Sequence, residues 1–262
     1  MKFRHIIAAF VLLASLWACK SAYEALLESN DADAKYAAAF DYFNQGKYAK
    51  SAQLFESLAV VTNGTARDDT VQYYWGLSNY RAKDYFTAET NFTNFISNFP
   101  RSPFAENAEF LRLDCLFRAC LRYELDQTPT YKCITAISEY LMNHPNSEYR
   151  SVCAHMLDDL EERLDHKAFD AAYLYYKMED YKAARVALRN ILKDDSENRY
   201  REDILFYTAM SSYNYAKMSV KNKQKERFLI FYDDYFNFIG EYPESSKRAE
   251  LDDLYKKTKE KY

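Results

Sequence analysis

One phrase occurs three times along this chain, and it restricts the possible folds more than any other feature. Phe95-Ile-Ser-Asn-Phe-Pro100-Arg-Ser102, Tyr140-Leu-Met-Asn-His-Pro145-Asn-Ser147 and Phe238-Ile-Gly-Glu-Tyr-Pro243-Glu-Ser245 share one order: aromatic, aliphatic, two small or polar residues, an aromatic or histidine, proline, any residue, serine. Each reads as the end of one helix, a proline that stops it, and a serine positioned to cap the next. Matching helix starts lie at Gly46-Lys47-Tyr48, Lys83-Asp84-Tyr85 and Glu179-Asp180-Tyr181. After Tyr85 come Ala88, Phe92, Phe95, Ile96 and Phe99, an apolar stripe at spacings of three and four. Tyr181, Ala184, Leu188, Ile191 and Leu192 repeat it, and Tyr48, Ala52, Phe55, Leu58 and Ala59 nearly do.

Composition points the same way. The chain has 4 Gly and 5 Pro in 262 residues, and none of either from Asn146 to Ile239, which leaves little room for the tight turns of a many-stranded sheet. Reading backward from Tyr85, Gly76 falls where two helices of a hairpin must approach closely, and Ala172 takes that position before Tyr181. With Tyr80, Ala88, Phe92 and Pro100 this resembles the tetratricopeptide (TPR) pattern of small, aromatic and proline positions. The fold class expected is all-α: a TPR-type helical repeat solenoid of about five helix pairs, near residues 34–61, 68–99, 103–143, 166–194 and 200–240. A helix at 148–164 bridges an N-terminal half (34–164) to a C-terminal half (165–262), and a capping helix at 246–260 closes the array. Extra sequence at 123–130 and 219–226 reads either as length drift or as loops carrying a specific contact.

The amino terminus reads as a processing signal. Basic residues in Met1–His5 precede thirteen mostly apolar residues, Ile6 to Ala18, too few for the ~20 that a helix needs to cross a bilayer core. Leu16-Trp17-Ala18-Cys19 resembles a lipobox, which implies a signal peptide over 1–18 and lipidation at Cys19. Two or three acyl chains there suffice for stable anchoring. Lys20 stands where an aspartate would hold a lipoprotein in the inner membrane, so the outer membrane is the expected destination. Residues 19–33 are expected to form a lipidated polar tether, with Asn30, Asp31 or Asp33 capping the first helix.

No catalytic constellation stands out: the chain lacks a Gly-rich phosphate loop, His-Glu-x-x-His, Gly-x-Ser-x-Gly and Ser-x-x-Lys. The 35 Lys and Arg against 39 Asp and Glu give a net charge of -4 with no long basic run, which argues against nucleic acid. His144, His155 and His166 are too dispersed for a metal site, and no metal or cofactor is expected. Cys115, Cys120, Cys133 and Cys153 are read inside helices, where they pack as small hydrophobes. The alternative is a disulfide, for which Cys115 to Cys133 across one hairpin is the pairing to test. Asp69-Thr70-Val71 resembles a three-residue O-glycosylation signal. Counting from the repeat pattern, Tyr36, Phe40, Phe43, Tyr73, Leu77, Tyr80 and Arg81 are expected to face a groove suited to an extended or aromatic-ended peptide.

The lipobox, the five repeats with their Pro-x-Ser endings, and the segment Leu125-Asp-Gln-Thr-Pro-Thr-Tyr-Lys132 together resemble BamD-type outer-membrane assembly lipoproteins, especially those of Bacteroidetes. The resemblance covers essentially the whole chain after Cys19. It implies a non-catalytic scaffold and substrate receptor of the outer-membrane β-barrel assembly machine. The implied partners are a BamA-type insertase, other assembly-machine lipoproteins and the targeting signals of unfolded barrel proteins. Repeat one departs from the pattern, with Asn63-Gly64-Thr65 in place of the proline-serine ending. The alternative is another periplasmic TPR lipoprotein, such as a secretin or pilus pilotin.

Overall fold

The computed structural model describes residues 22–261, so the signal segment, Cys19 and the first residues of the expected tether lie outside the described residues. Within them are twelve α-helices and no strand: α1 (Ala22–Glu28), α2 (Ala32–Asn44), α3 (Tyr48–Val61), α4 (Asp68–Arg81), α5 (Tyr85–Asn98), α6 (Ala105–Ala119), α7 (Thr128–Asn143), α8 (Arg150–Lys177), α9 (Tyr181–Asp194), α10 (Arg201–Lys217), α11 (Lys221–Glu241) and α12 (Arg248–Lys259). Two compact units hold them. The first runs to Cys120 and resumes over Pro129–Arg150, and the second comprises Leu121–Thr128 and Ser151 onward.

The repeat logic is visible in the cores, each assembled from three successive helices. In the first unit, Ala39 of α2, Leu54, Phe55 and Leu58 of α3, and Val71 of α4 close one cluster. Tyr73 of α4, Ala88, Phe92 and Phe95 of α5, and Ala108, Leu111 and Cys115 of α6 close the next. In the second unit, Phe169 and Ala172 of α8, Leu188 of α9 and Ile204 of α10 form one cluster. Phe206 and Ala209 of α10, Phe231 and Phe238 of α11, and Leu251 of α12 form the other. The fourth residue of α4, α6, α8, α10 and α12 is Val71, Ala108, Cys153, Ile204 and Leu251, and all five are fully buried. Cys153 is thus a packing residue at a register that aliphatic side chains fill elsewhere. Cys115 is likewise buried with a free thiol, so the Cys115–Cys133 bridge does not form.

Close approach explains Gly76. A Cβ there would meet Phe92 Cε1 at 2.9 Å, and the Phe92 ring is fully buried and held in place. Burial of charge is handled by pairing. Asp234, 5% exposed, accepts Arg185 Nε at 2.6 Å and Nη2 at 3.0 Å, and the Ser212 hydroxyl at 2.5 Å, so its carboxylate is satisfied inside the second unit.

Four elements differ from the sequence reading. The bridging helix expected at 148–164 and the next repeat's first helix are one uninterrupted α8 of 28 residues. The expected tether is helical over Ala22–Glu28, and Tyr23 is pinned by its hydroxyl to Gln53 Oε1 at 2.7 Å; Asp31 then caps α2 by accepting Ala34 N–H at 2.9 Å. The serines do not occupy the cap position. Ser102, Ser147 and Ser245 each sit three residues before the first helical residue, where the hydroxyl accepts the N–H two residues on and the carbonyl accepts the N–H three residues on. Thr65 and Asn198 make the same turn before α4 and α10. These are Asx- and Ser/Thr-turns that steer the chain into the helix. Cys120, read as helical, instead follows the end of α6 in extended backbone.

The turns inside three hairpins are alike to the hydrogen bond. Gly46, Lys83 and Glu179 all have positive φ (74°, 66° and 61°). In each, that residue's N–H reaches the carbonyl three back and the following residue's N–H the carbonyl five back, the double closure of a Schellman motif. Asp84 and Asp180 then cap α5 and α9 through Thr87 N–H and Ala183 N–H, each at 3.1 Å. A side chain in the left-handed region is strained. Lys83→Gly and Glu179→Gly are therefore each expected to stabilise the fold by about 0.5–1 kcal/mol. Denaturant midpoints of the two variants, at unchanged slope, check this; a loss of stability in both would refute the strain argument.

Candidate functional site

The residues expected to line a peptide groove all lie on α2 and α4 of the first unit. Tyr36 is half-buried, tilted against Phe40 at 5.0 Å, and the Arg67 guanidinium sits 4.8 Å above its ring. Phe40 turns inward, meeting Phe55 edge-on at 5.1 Å and Tyr74 at 4.7 Å. Phe43 packs on Tyr48 and Tyr74 at 5.3 and 5.4 Å. Leu77 packs partly buried against the second core. Tyr73 belongs to that core, 6% exposed and stacked on Phe104 at 4.4 Å. Tyr80 is half-buried, edge-on to Tyr85 at 5.6 Å. Arg81 is exposed at the end of α4 and, among the described residues, makes no ion pair.

The seven side chains therefore do not share one open surface. What sequence reasoning missed is a set of lateral hydrogen bonds, five of them 33 to 35 residues long, which already engage the Tyr73 and Tyr80 hydroxyls. Tyr73 Oη donates to Asn107 Oδ1 at 2.5 Å, and Asn107 Nδ2 donates to Tyr149 Oη at 2.7 Å. Tyr80 Oη donates to Asp114 Oδ2 at 2.6 Å, which also accepts Arg118 Nε at 2.5 Å. Ser102 donates to Asp69 at 3.1 Å, His144 Nε2 lies 2.6 Å from Glu109, and Arg67 Nη1 donates to Asp33 at 2.6 Å. The sequence separations of 33 to 35 residues are the signal that could have revealed the network.

The second unit has its own aromatic face. His166 of α8 stacks between Tyr123 (3.9 Å) and Tyr200 (5.2 Å), Phe169 stacks on Tyr200 at 5.2 Å, and Tyr173 meets Tyr207 at 4.4 Å. Asp165 accepts Asn198 Nδ2 at 2.8 Å and Arg199 N–H at 3.1 Å, again one repeat away. The longer segment read near 123–130 is tied to α8 through Lys167, whose ammonium donates to the carbonyls of Tyr123 (3.1 Å), Glu124 (3.3 Å) and Leu125 (2.7 Å), while Tyr123 Oη donates to Asp170 at 3.0 Å. Among the described residues no three His, Cys, Asp or Glu side chains gather as metal ligands, and no helix is long and apolar enough to cross a membrane.

Electrostatics follow from burial. The Tyr73 phenol is pushed up to about 12, chiefly by burial. That of Tyr80 is also pushed up to about 12, by burial and by its hydrogen bond to Asp114. Burial also pushes the Cys115 thiol up to about 12 and the Cys153 thiol up to about 11, so neither offers a ready thiolate.

Two comparisons with known proteins bear on this arrangement. The family model described as YfiO, outer membrane lipoprotein, matches residues 28–229. Over 131 residues the chain is 24% identical to the outer membrane protein assembly factor BamD of Caulobacter vibrioides; the match covers 50% of this chain and 43% of that relative's length.

The raised phenols generate a pH expectation. Tyrosines in the unfolded chain ionise near 10. Groups whose folded pKa lies higher stabilise the fold fully below that point, and their contribution is lost as pH rises through about 12. Phenolate absorbance followed together with helical circular dichroism is expected to show a late fraction of the tyrosines ionising only as helicity is lost. Complete titration with the helices intact would contradict the burial described here.

Proposed function

This chain belongs to the YfiO family of outer membrane lipoproteins, and from that premise we propose that it is a non-catalytic scaffold and substrate receptor of outer-membrane β-barrel assembly. It is held on the periplasmic face of the outer membrane by acyl chains on Cys19. The family match is the observation that carries this reading, with the likeness to a BamD from another bacterium as second support. Packed three-helix cores repeated along the chain suit a protein that works by binding. The partners we assign are a BamA-type insertase, other lipoproteins of the machine and unfolded barrel substrates.

The receiving surface is reassigned in one respect. Tyr73 and Tyr80 hold their neighbours rather than a ligand, since both hydroxyls are engaged within the unit, and Phe40 is spent on the ring contacts to Phe55 and Tyr74. Tyr36, Phe43 and Leu77, half-buried, and the exposed Arg81 keep the peptide role. Arg81 supplies a guanidinium without an ion-pair partner among the described residues, suited to the terminal carboxylate of a barrel peptide.

Mild-detergent extraction of the native membrane-anchored protein followed by mass spectrometry is expected to recover a BamA-type insertase as the dominant partner. A secretin or pilus component in its place would overturn the assembly role and leave the fold unaffected. Arg81→Ala is expected to weaken binding of a barrel carboxy-terminal peptide about tenfold, the worth of one charge-assisted hydrogen bond, with an unchanged melting temperature. Unaltered peptide affinity would remove Arg81 from the site.

A further inference from the structure

The extra sequence read at 219–226 is a three-residue turn, Met218 to Val220, followed by the first turns of α11, and with the end of α10 it forms a strongly basic stretch of an otherwise acidic chain. From Lys217 to Arg227 it carries five cations and one carboxylate. The turn is built, not loose. Arg227 stacks its guanidinium 4.1 Å from the Tyr215 ring centre and bonds the Ser219 hydroxyl, and Gln224 Nε2 donates to the Lys217 carbonyl at 3.1 Å. That brace holds Met218 and Val220 outward, at 67% and 68% exposure. Around them stand Lys217, Lys221 and Lys225, exposed and, among the described residues, without an ion pair; Lys223 pairs locally with Glu226 at 3.1 Å.

We propose that this turn docks on an anionic phospholipid surface, the Met218 and Val220 side chains entering the headgroup boundary while the three lysines meet lipid phosphates. Membership of an outer membrane lipoprotein family places such a surface within reach, and the inference does not need the assembly role. Two single apolar tips ringed by long, flexible ammonium stems fit a planar interface. An acidic protein segment would instead be met by planar guanidinium forks, and the one arginine here is spent inside the turn.

The test uses the chain from residue 20 onward, which keeps every described residue and carries no acyl group. Its partition onto vesicles of phosphatidylethanolamine with phosphatidylglycerol is compared with partition onto phosphatidylcholine alone. The parent is expected to bind the anionic vesicles and not the neutral ones. Each lysine contributes about fivefold, so Lys217→Gln/Lys221→Gln/Lys225→Gln lowers partition about 100-fold. Met218→Ser/Val220→Ser, which leaves the charge untouched, is expected to lower the binding that survives added salt. All five positions are exposed, and helical circular dichroism of each variant is expected to match the parent. Equal partition of parent and lysine variant, or equal binding to neutral vesicles, would overturn the proposal. Displacement by inorganic phosphate would show a free-anion site, and tighter binding to polyglutamate than to vesicles an acidic protein partner; either outcome also overturns it.

Discussion

Two first helices, α4 in the first unit and α10 in the second, each have to fill two cores at once, and the fold of each unit depends on that double duty. On α4, Val71 closes the cluster behind and Tyr73 the cluster ahead; on α10, Ile204 and Phe206 do the same. Two residues along an α-helix turn the side chain roughly 200° around the axis, so a single i, i+2 pair serves both neighbours. One amphipathic stripe cannot describe such a helix, whereas the second helices need only one. The terminal helix α12 has a core on one side alone, and its burial is correspondingly confined to Leu251 and Thr258. A cavity at any shared position would loosen two clusters, not one.

Much of this was legible in the sequence because it is local. A proline that stops a helix, an aspartate that caps one and a glycine that admits a neighbouring ring act within a few residues of themselves, and Pro100, Asp84 and Gly76 could be placed without knowing the fold. The length of α8 escaped because a repeat count demands a boundary where chemistry supplies none. The serines escaped for a subtler reason. A turn that steers the chain into a helix and a cap that ends its orphan N–H groups use the same residue types, two positions apart.

The groove was the least legible part, since its residues are distinguished only by partners a whole repeat away. The repeat pattern places Tyr36, Tyr73 and Tyr80 toward a groove, but the chain has 25 tyrosines with several uses. Several instead spend an apolar ring on a core and a hydroxyl on the next element, as Tyr73, Tyr80 and Tyr235 do, the last donating to Asp252 at 2.7 Å. A phenylalanine at these positions would pack and would leave Asn107, Asp114 and Asp252 each short of a donor.

Building each core from three consecutive helices also fixes the order in which the molecule can be completed. The first cluster needs nothing beyond Trp75, and the second nothing beyond Cys115. A chain delivered from its amino terminus can bury its early apolar side chains while most of its length has yet to arrive, with loop closures kept short and therefore fast. The segment at Leu121–Thr128 is the exception, since it sits with α8 in the second unit and must wait for Lys167 to reach the carbonyls of Tyr123 and Glu124.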